Sequence, residues 1–138
     1  MIIIDATNLI VGRLASYVAK KALLGEEVHI INSEKAIISG KKENIFKKFE
    51  KRREIGDPHH GPYYPRKADI LVRRIIRGML PYKKERGKEA FKRIKCYIGV
   101  PKNLEGKKAE TLKSAHVSKL PTLKYITIGE LSKHLGAK

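Results

Sequence analysis

The chain has one cysteine, Cys96, and no long apolar run. A lone thiol excludes an intrachain disulfide and a thiolate zinc cluster, and it fits a reducing, cytosolic compartment. The longest purely apolar stretches are a few residues, against the roughly 18 to 20 that a membrane-crossing helix needs. The N-terminal "MIIIDATNLIVGR" lacks both a basic region ahead of its apolar run and a small-residue cleavage site, which argues against a secretory signal. Negative charge is the scarcest feature: 14 Asp and Glu stand against 31 Lys and Arg, for a net charge of +17. Such a charge repels itself in the compact state, so its natural counterpart is a polyanion, with nucleic acid first and an anionic membrane surface second.

What is present is enough for one folded domain. At 138 residues and 41% hydrophobic, a single core can form without disulfides or metal, and residues 1–138 read as one domain. "MIIID" reads as a strand. Leu14, Val18 and Ala22, with Ala15 and Ala19 beside them, recur at helical spacing, and Gly25 stands where a left-handed cap belongs. "EEVHIIN" and "KAIIS" read as extended, "GKKENIFKKFEKRR" as a helix with Ile45, Phe46 and Phe49 inward, Ala68 to Leu80 as a third helix, and "ERGKEAFKRI" as a short fourth. "IKCYIGV" alternates as a strand does, and "KYITIGELSKHLG" reads as a strand feeding a helix, with Thr127 and Glu130 in capping-box spacing. Residues 103–123 read as an irregular or mobile segment. Strands alternating with helices predict a three-layer α/β/α domain around a mainly parallel sheet of about four strands.

Known site chemistries fit poorly. "DATNLIVGR" opens a helix after a strand, but it offers only Gly12 where a dinucleotide fingerprint wants three glycines. "ISGKKEN" ends like a phosphate loop, but Lys35 stands where the first glycine belongs and Lys42 where the magnesium-binding Ser or Thr belongs. His59, His60 and Asp57 lack a third and fourth ligand in convincing positions, so no metal or other cofactor is expected. Cys96, on an apolar strand face, reads as an inert thiol. A nucleotide-dependent α/β enzyme stays as the alternative reading.

The positive signal is a constellation. From Arg73 to Lys95 there are ten basic residues and two acidic ones, Glu85 and Glu89. On a helical wheel of about 100° per residue, Arg73, Arg74 and Arg77 share one face with Arg66 and Lys67, while Val72, Ile75, Ile76 and Met79 occupy the opposite one. Guanidinium groups suit bidentate phosphate contact and base stacking. In "HHGPYYPRK", Tyr63 and Tyr64 sit between prolines that stiffen the backbone, as rings that stack on unpaired bases would. Pro81 breaks the helix and delivers Tyr82, Lys83, Lys84 and Arg86 as a second cluster, with Lys88 beyond. Lys41, Lys42, Lys47, Lys48, Arg52 and Arg53 spread further charge over the second helix, as suits a protein enclosed by folded RNA.

"DATNLIVGRLASYVAKKALLGEEVHIINSEKAIISGKK", "GPYYPRKADILVRRIIRGMLPYKKERGKEAFKRIKCYIGVP" and "YITIGEL" together resemble the universal large-subunit ribosomal protein family L-thirteen, in its archaeal form. The likeness runs from Ile2 to about Lys102 and resumes near Lys124. It implies a non-catalytic α/β/α domain in the cytoplasmic large ribosomal subunit. Such a domain would bind large-subunit ribosomal RNA early in assembly and touch neighbouring ribosomal proteins, with no membrane and no small-molecule substrate. Carried onto this chain, the RNA contacts would fall on Arg13, Tyr63, Tyr64, Arg66, Arg73, Arg74, Arg77, Lys83, Lys84 and Arg86.

Overall fold

A computed structural model describes residues 1–55, 59, 65–121 and 123–136. Three strands, β1 (Ile2–Asp5), β2 (Val28–Ile31) and β4 (Ile94–Cys96), form a parallel sheet in the order β1-β2-β4. Ile2 lies opposite Val28, and Val28 opposite Ile94. Parallel neighbours need crossovers rather than hairpins, and α1 (Val11–Leu23) supplies the first. The central strand β2 is buried along its whole length, as a strand covered on both faces must be.

The sequence predicts about four strands in one sheet, and the structure distributes them differently. A fourth position beside β1 is filled by Glu110 alone, which bridges in parallel to Ile4. There the Asp5 amide donates to the Glu110 carbonyl at 2.9 Å and the Glu110 amide to the Ile3 carbonyl at 2.8 Å. β3 (Ile37–Ser39) and β5 (Tyr125–Thr127) leave the sheet and pair antiparallel with each other. The cause lies in the turn after β2: Asn32 adopts a left-handed φ of 55° and a 3-10 turn over Ser33–Lys35 redirects the chain.

Helices α2 (Lys42–Glu54), α3 (Ala68–Arg77), α4 (Glu85–Lys92) and α5 (Ile128–His134) complete the chain. All five helices send buried side chains into one cluster with Ile4, Val28, Ile30 and Ile94. α1 contributes Leu14, Ala15, Val18, Ala19 and Ala22 as its periodicity predicts, each large apolar side chain adding about 1.5 to 3 kcal/mol. Gly25, at φ 99°, ends α1 with both bonds of a Schellman motif, its own amide to Ala22 and that of Glu26 to Lys21, at 3.1 and 3.2 Å. The Thr127 hydroxyl caps α5 by accepting from the Glu130 amide at 3.1 Å.

The opposite face is covered more thinly, by Leu104 of a 3-10 turn and by Tyr97 against Ile3 and Ile31. His29 is buried on β2, one residue out of step with Val28 and Ile30, and bonds Tyr97 Oη at 3.0 Å and Glu27 Oε1 at 2.7 Å. The segment read as irregular over 103–123 is tied down along β1 and the turn into α1. The Ile10 amide donates to the Ala115 carbonyl at 2.7 Å, the Val117 amide to the Asn8 carbonyl at 2.8 Å, and Ala115 is buried. Thr122 lies outside the described residues.

Candidate nucleic-acid interface

α3 is strongly two-faced, with Ala68, Leu71, Val72 and Ile76 buried. It is shorter than the periodicity predicts. Lys67, in extended geometry, is its N-cap, so Arg66 and Lys67 do not continue the wheel. At the other end the helix stops at Arg77. Met79, expected to face the sheet, is instead 44% exposed, and Leu80 takes the buried place at 5%. Once the helix ends, the 100° step no longer governs where side chains point.

The three arginines of the stripe have different roles. Arg73 reaches across to α4 and β4: its Nε donates to the Ile94 carbonyl at 3.0 Å and its terminal nitrogen to the Phe91 carbonyl at 3.1 Å. Its guanidinium also lies 3.9 Å from the Phe91 ring centroid, and burial pulls its pKa down. Arg73 is therefore a bracket of the fold.

Arg74 and Arg77 instead line an open depression of about 420 Å³ together with Arg52 of α2, Ile75, Gly78, Met79 and Tyr82. The Arg77 guanidinium sits 4.6 Å from the Tyr82 ring centroid, and that of Arg52 lies 5.0 Å from the ring of Phe49. None of the described lining residues is acidic. Three guanidinium groups around an apolar and aromatic floor present phosphate-binding forks and stacking planes in one place.

The remaining basic residues do not line this depression. Lys41, Lys42, Lys47 and Lys48 are exposed on and just before α2, Lys42 over the Phe46 ring at 5.5 Å. Arg53 turns away to donate to the Leu135 carbonyl at 3.2 Å. Arg66 and Lys67 are exposed, as are Lys83, Lys84, Arg86 and Lys88 on the turn into α4 and on its first turn. Arg13 on α1 is exposed and donates to the Ser114 carbonyl at 3.1 Å. Tyr63 and Tyr64 lie outside the described residues, as do Asp57 and His60.

The groups that the alternative, nucleotide-binding reading would use are engaged elsewhere at the positions described. The Gly40 amide, which a phosphate loop would direct at its ligand, donates to the Lys124 carbonyl at 2.8 Å. A depression of about 400 Å³ beyond the carboxyl ends of β2 and β4 is where α/β enzymes bind ligands. Three of its polar side chains serve the fold: Glu34 accepts from the Gly99 amide at 3.0 Å, Thr127 caps α5 and the Ser132 hydroxyl donates to the Arg66 carbonyl at 2.7 Å. Burial pushes the Cys96 thiol up to about 12, so it stays protonated at neutral pH and is no nucleophile. Among the described residues no three His, Cys, Asp or Glu side chains gather as a metal site requires.

Sequence reasoning placed Met79 in the core and counted Tyr82 only among a second, separate cluster, although both help line the depression. The signal that joins them to the arginines is Gly78 followed by Pro81, which ends the helix at Arg77 and leaves Met79 and Tyr82 exposed while Leu80 turns inward. A sequence profile of the family described as Ribosomal protein L13 matches residues 1–103. The chain is 53% identical to the large ribosomal subunit protein uL13 of Methanococcus maripaludis, covering 100% of this chain and 99% of that protein. It is 51% identical to the uL13 of Methanocaldococcus jannaschii, over 100% and 99%, and 50% identical to that of Methanopyrus kandleri, over 97% and 86%. With the profile matching most of the chain and relatives about half identical along nearly all of it, this chain belongs to the ribosomal protein L13 family, in its archaeal form.

Proposed function

We propose that this chain is a structural, non-enzymatic constituent of the cytoplasmic large ribosomal subunit that binds large-subunit ribosomal RNA, supports early assembly of the subunit and adjoins other ribosomal proteins. The observation that carries the RNA-binding part is the depression of Arg52, Arg74 and Arg77 around Tyr82, on a chain with net charge +17. Phosphate neutralisation by such a surface supplies most of the affinity, and the basic residues distributed over α2, α3, α4 and the turns match an RNA that contacts the protein from several sides. Arg77, Lys83, Lys84 and Arg86 follow one another across the break at Pro81 and meet different segments. The exposed Lys41, Lys42, Lys47 and Lys48 extend the contact along α2. The test is co-sedimentation: the protein is expected to remain with large subunits on a sucrose gradient after a moderate-salt wash. Its absence from washed subunits, with the protein recovered at the top of the gradient, would overturn the reading.

A further inference from the structure

Phosphate binding alone does not account for the floor of the arginine-lined depression. Tyr82 is 38% exposed and Met79 44% exposed, and both line the same concavity as the guanidinium groups, with Ile75 beside them. A phosphate held by arginines has no use for apolar surface, and exposed apolar side chains grouped in a concave site mark something to be covered. The occupant must therefore be anionic at its edge and flat and apolar in its body.

A nucleotide has both properties. The volume of about 420 Å³ falls in the range of ~300 to 1,000 Å³ typical of sites for single small molecules, and it cannot admit a helix. A paired helix would present only its sugar-phosphate surface here, because its base faces are hidden in the stack. An unpaired base has both faces available, and stacking on aromatic rings and arginine planes is how proteins take up such bases. The Arg77 guanidinium over the Tyr82 ring supplies a ring and a guanidinium plane in contact.

Resting on the RNA-binding reading above, we infer that this depression receives one unpaired nucleotide of the RNA. Its base stacks on the Tyr82 and Arg77 pair over Met79 and Ile75, and its flanking phosphates meet Arg52 and Arg74. The site reads the state of the nucleotide, bulged out of a helix rather than paired, more than its identity, because stacking tolerates any base.

The experiment uses the purified full-length protein and two short RNA hairpins that differ only in one bulged 2-aminopurine, whose fluorescence falls when it stacks. The bulged hairpin is expected to bind about 10-fold tighter than the fully paired one, with quenching on binding. Tyr82→Ala abolishes both the preference for the bulged hairpin and the quenching, and Tyr82→Phe retains them. Equal affinity for the two hairpins, or a preference that survives Tyr82→Ala, overturns the inference and leaves Met79 and Tyr82 to a protein neighbour. Failure of the wild-type protein to bind either hairpin or large-subunit ribosomal RNA overturns the RNA-binding reading itself.

Discussion

Arg73→Ala is expected to lower the melting temperature by about 10 °C, whereas Arg77→Ala, one helical turn along the same stripe, lowers it by no more than about 2 °C. The difference follows from what each guanidinium touches. Arg73 donates to the carbonyls of Ile94 and Phe91 and stacks on the Phe91 ring, so it ties α3 to the end of α4 and the start of β4. Removing it takes a charged donor away from both carbonyls at that junction. Charged hydrogen bonds contribute about 1.5 to 3 kcal/mol each and a partly desolvated cation–π contact about 1, so a net loss of about 3 kcal/mol is a moderate expectation. Arg73→Lys recovers little, because an ammonium group cannot reproduce a planar fork between two carbonyls and a ring. Arg77, whose ring contact is with exposed Tyr82, affects binding instead: Arg77→Glu is expected to weaken ribosomal RNA binding by about 10-fold and to reduce its salt dependence by about one phosphate contact. Thermal unfolding and filter binding of the two variants side by side provide the check. Equal losses of stability would show that the division of the stripe is wrong.

The second large effect falls on a residue that touches no ligand. Gly87 is buried within α4, and a Cβ added there would lie 1.9 Å from the Pro81 carbonyl oxygen, 2.2 Å from its carbon and 2.8 Å from the Tyr82 nitrogen. Backbone atoms cannot yield as a side-chain tip does. Gly87→Ala therefore forces α4 away from the turn that carries Tyr82, Lys83 and Lys84, although alanine is normally better than glycine in a helix by up to about 1 kcal/mol. A net destabilisation of about 2 to 3 kcal/mol is expected, with weakened RNA binding as the turn shifts. Gly12→Ala is the control: in α1 a Cβ there meets nothing within 4 Å, and the same substitution is expected to stabilise by about 0.5 to 1 kcal/mol. Denaturant unfolding of both variants distinguishes them, and a stabilised Gly87→Ala protein would refute the close approach.

These two cases also show which parts of the molecule were legible in the sequence. The α1 helix was, down to its cap, because Leu14, Val18, Ala22 and Gly25 obey local rules that tertiary contacts do not override. The α/β class and the Thr127 cap followed for the same reason. The pairing of β3 with β5 was not, since two three-residue strands far apart in sequence carry no signal of their partner, and the left-handed Asn32 that redirects the chain is seen only in the structure. Arg73 and Arg77 were indistinguishable on a wheel: the wheel gives a face, and only the approach of α4 and β4 shows that Arg73 is held by backbone carbonyls while Arg77 lines an open depression. Gly87 was invisible because its reason lies in Pro81, which the chain reaches six residues earlier but packs against only through the turn.

The central claim is that this surface holds ribosomal RNA through its phosphates, and the salt dependence of binding addresses it most directly. The affinity of the purified protein for large-subunit ribosomal RNA is predicted to fall about a thousand-fold between ~50 and ~200 mM salt, linearly on logarithmic axes, as several neutralised phosphates require. An affinity that stays flat over that range would contradict the account.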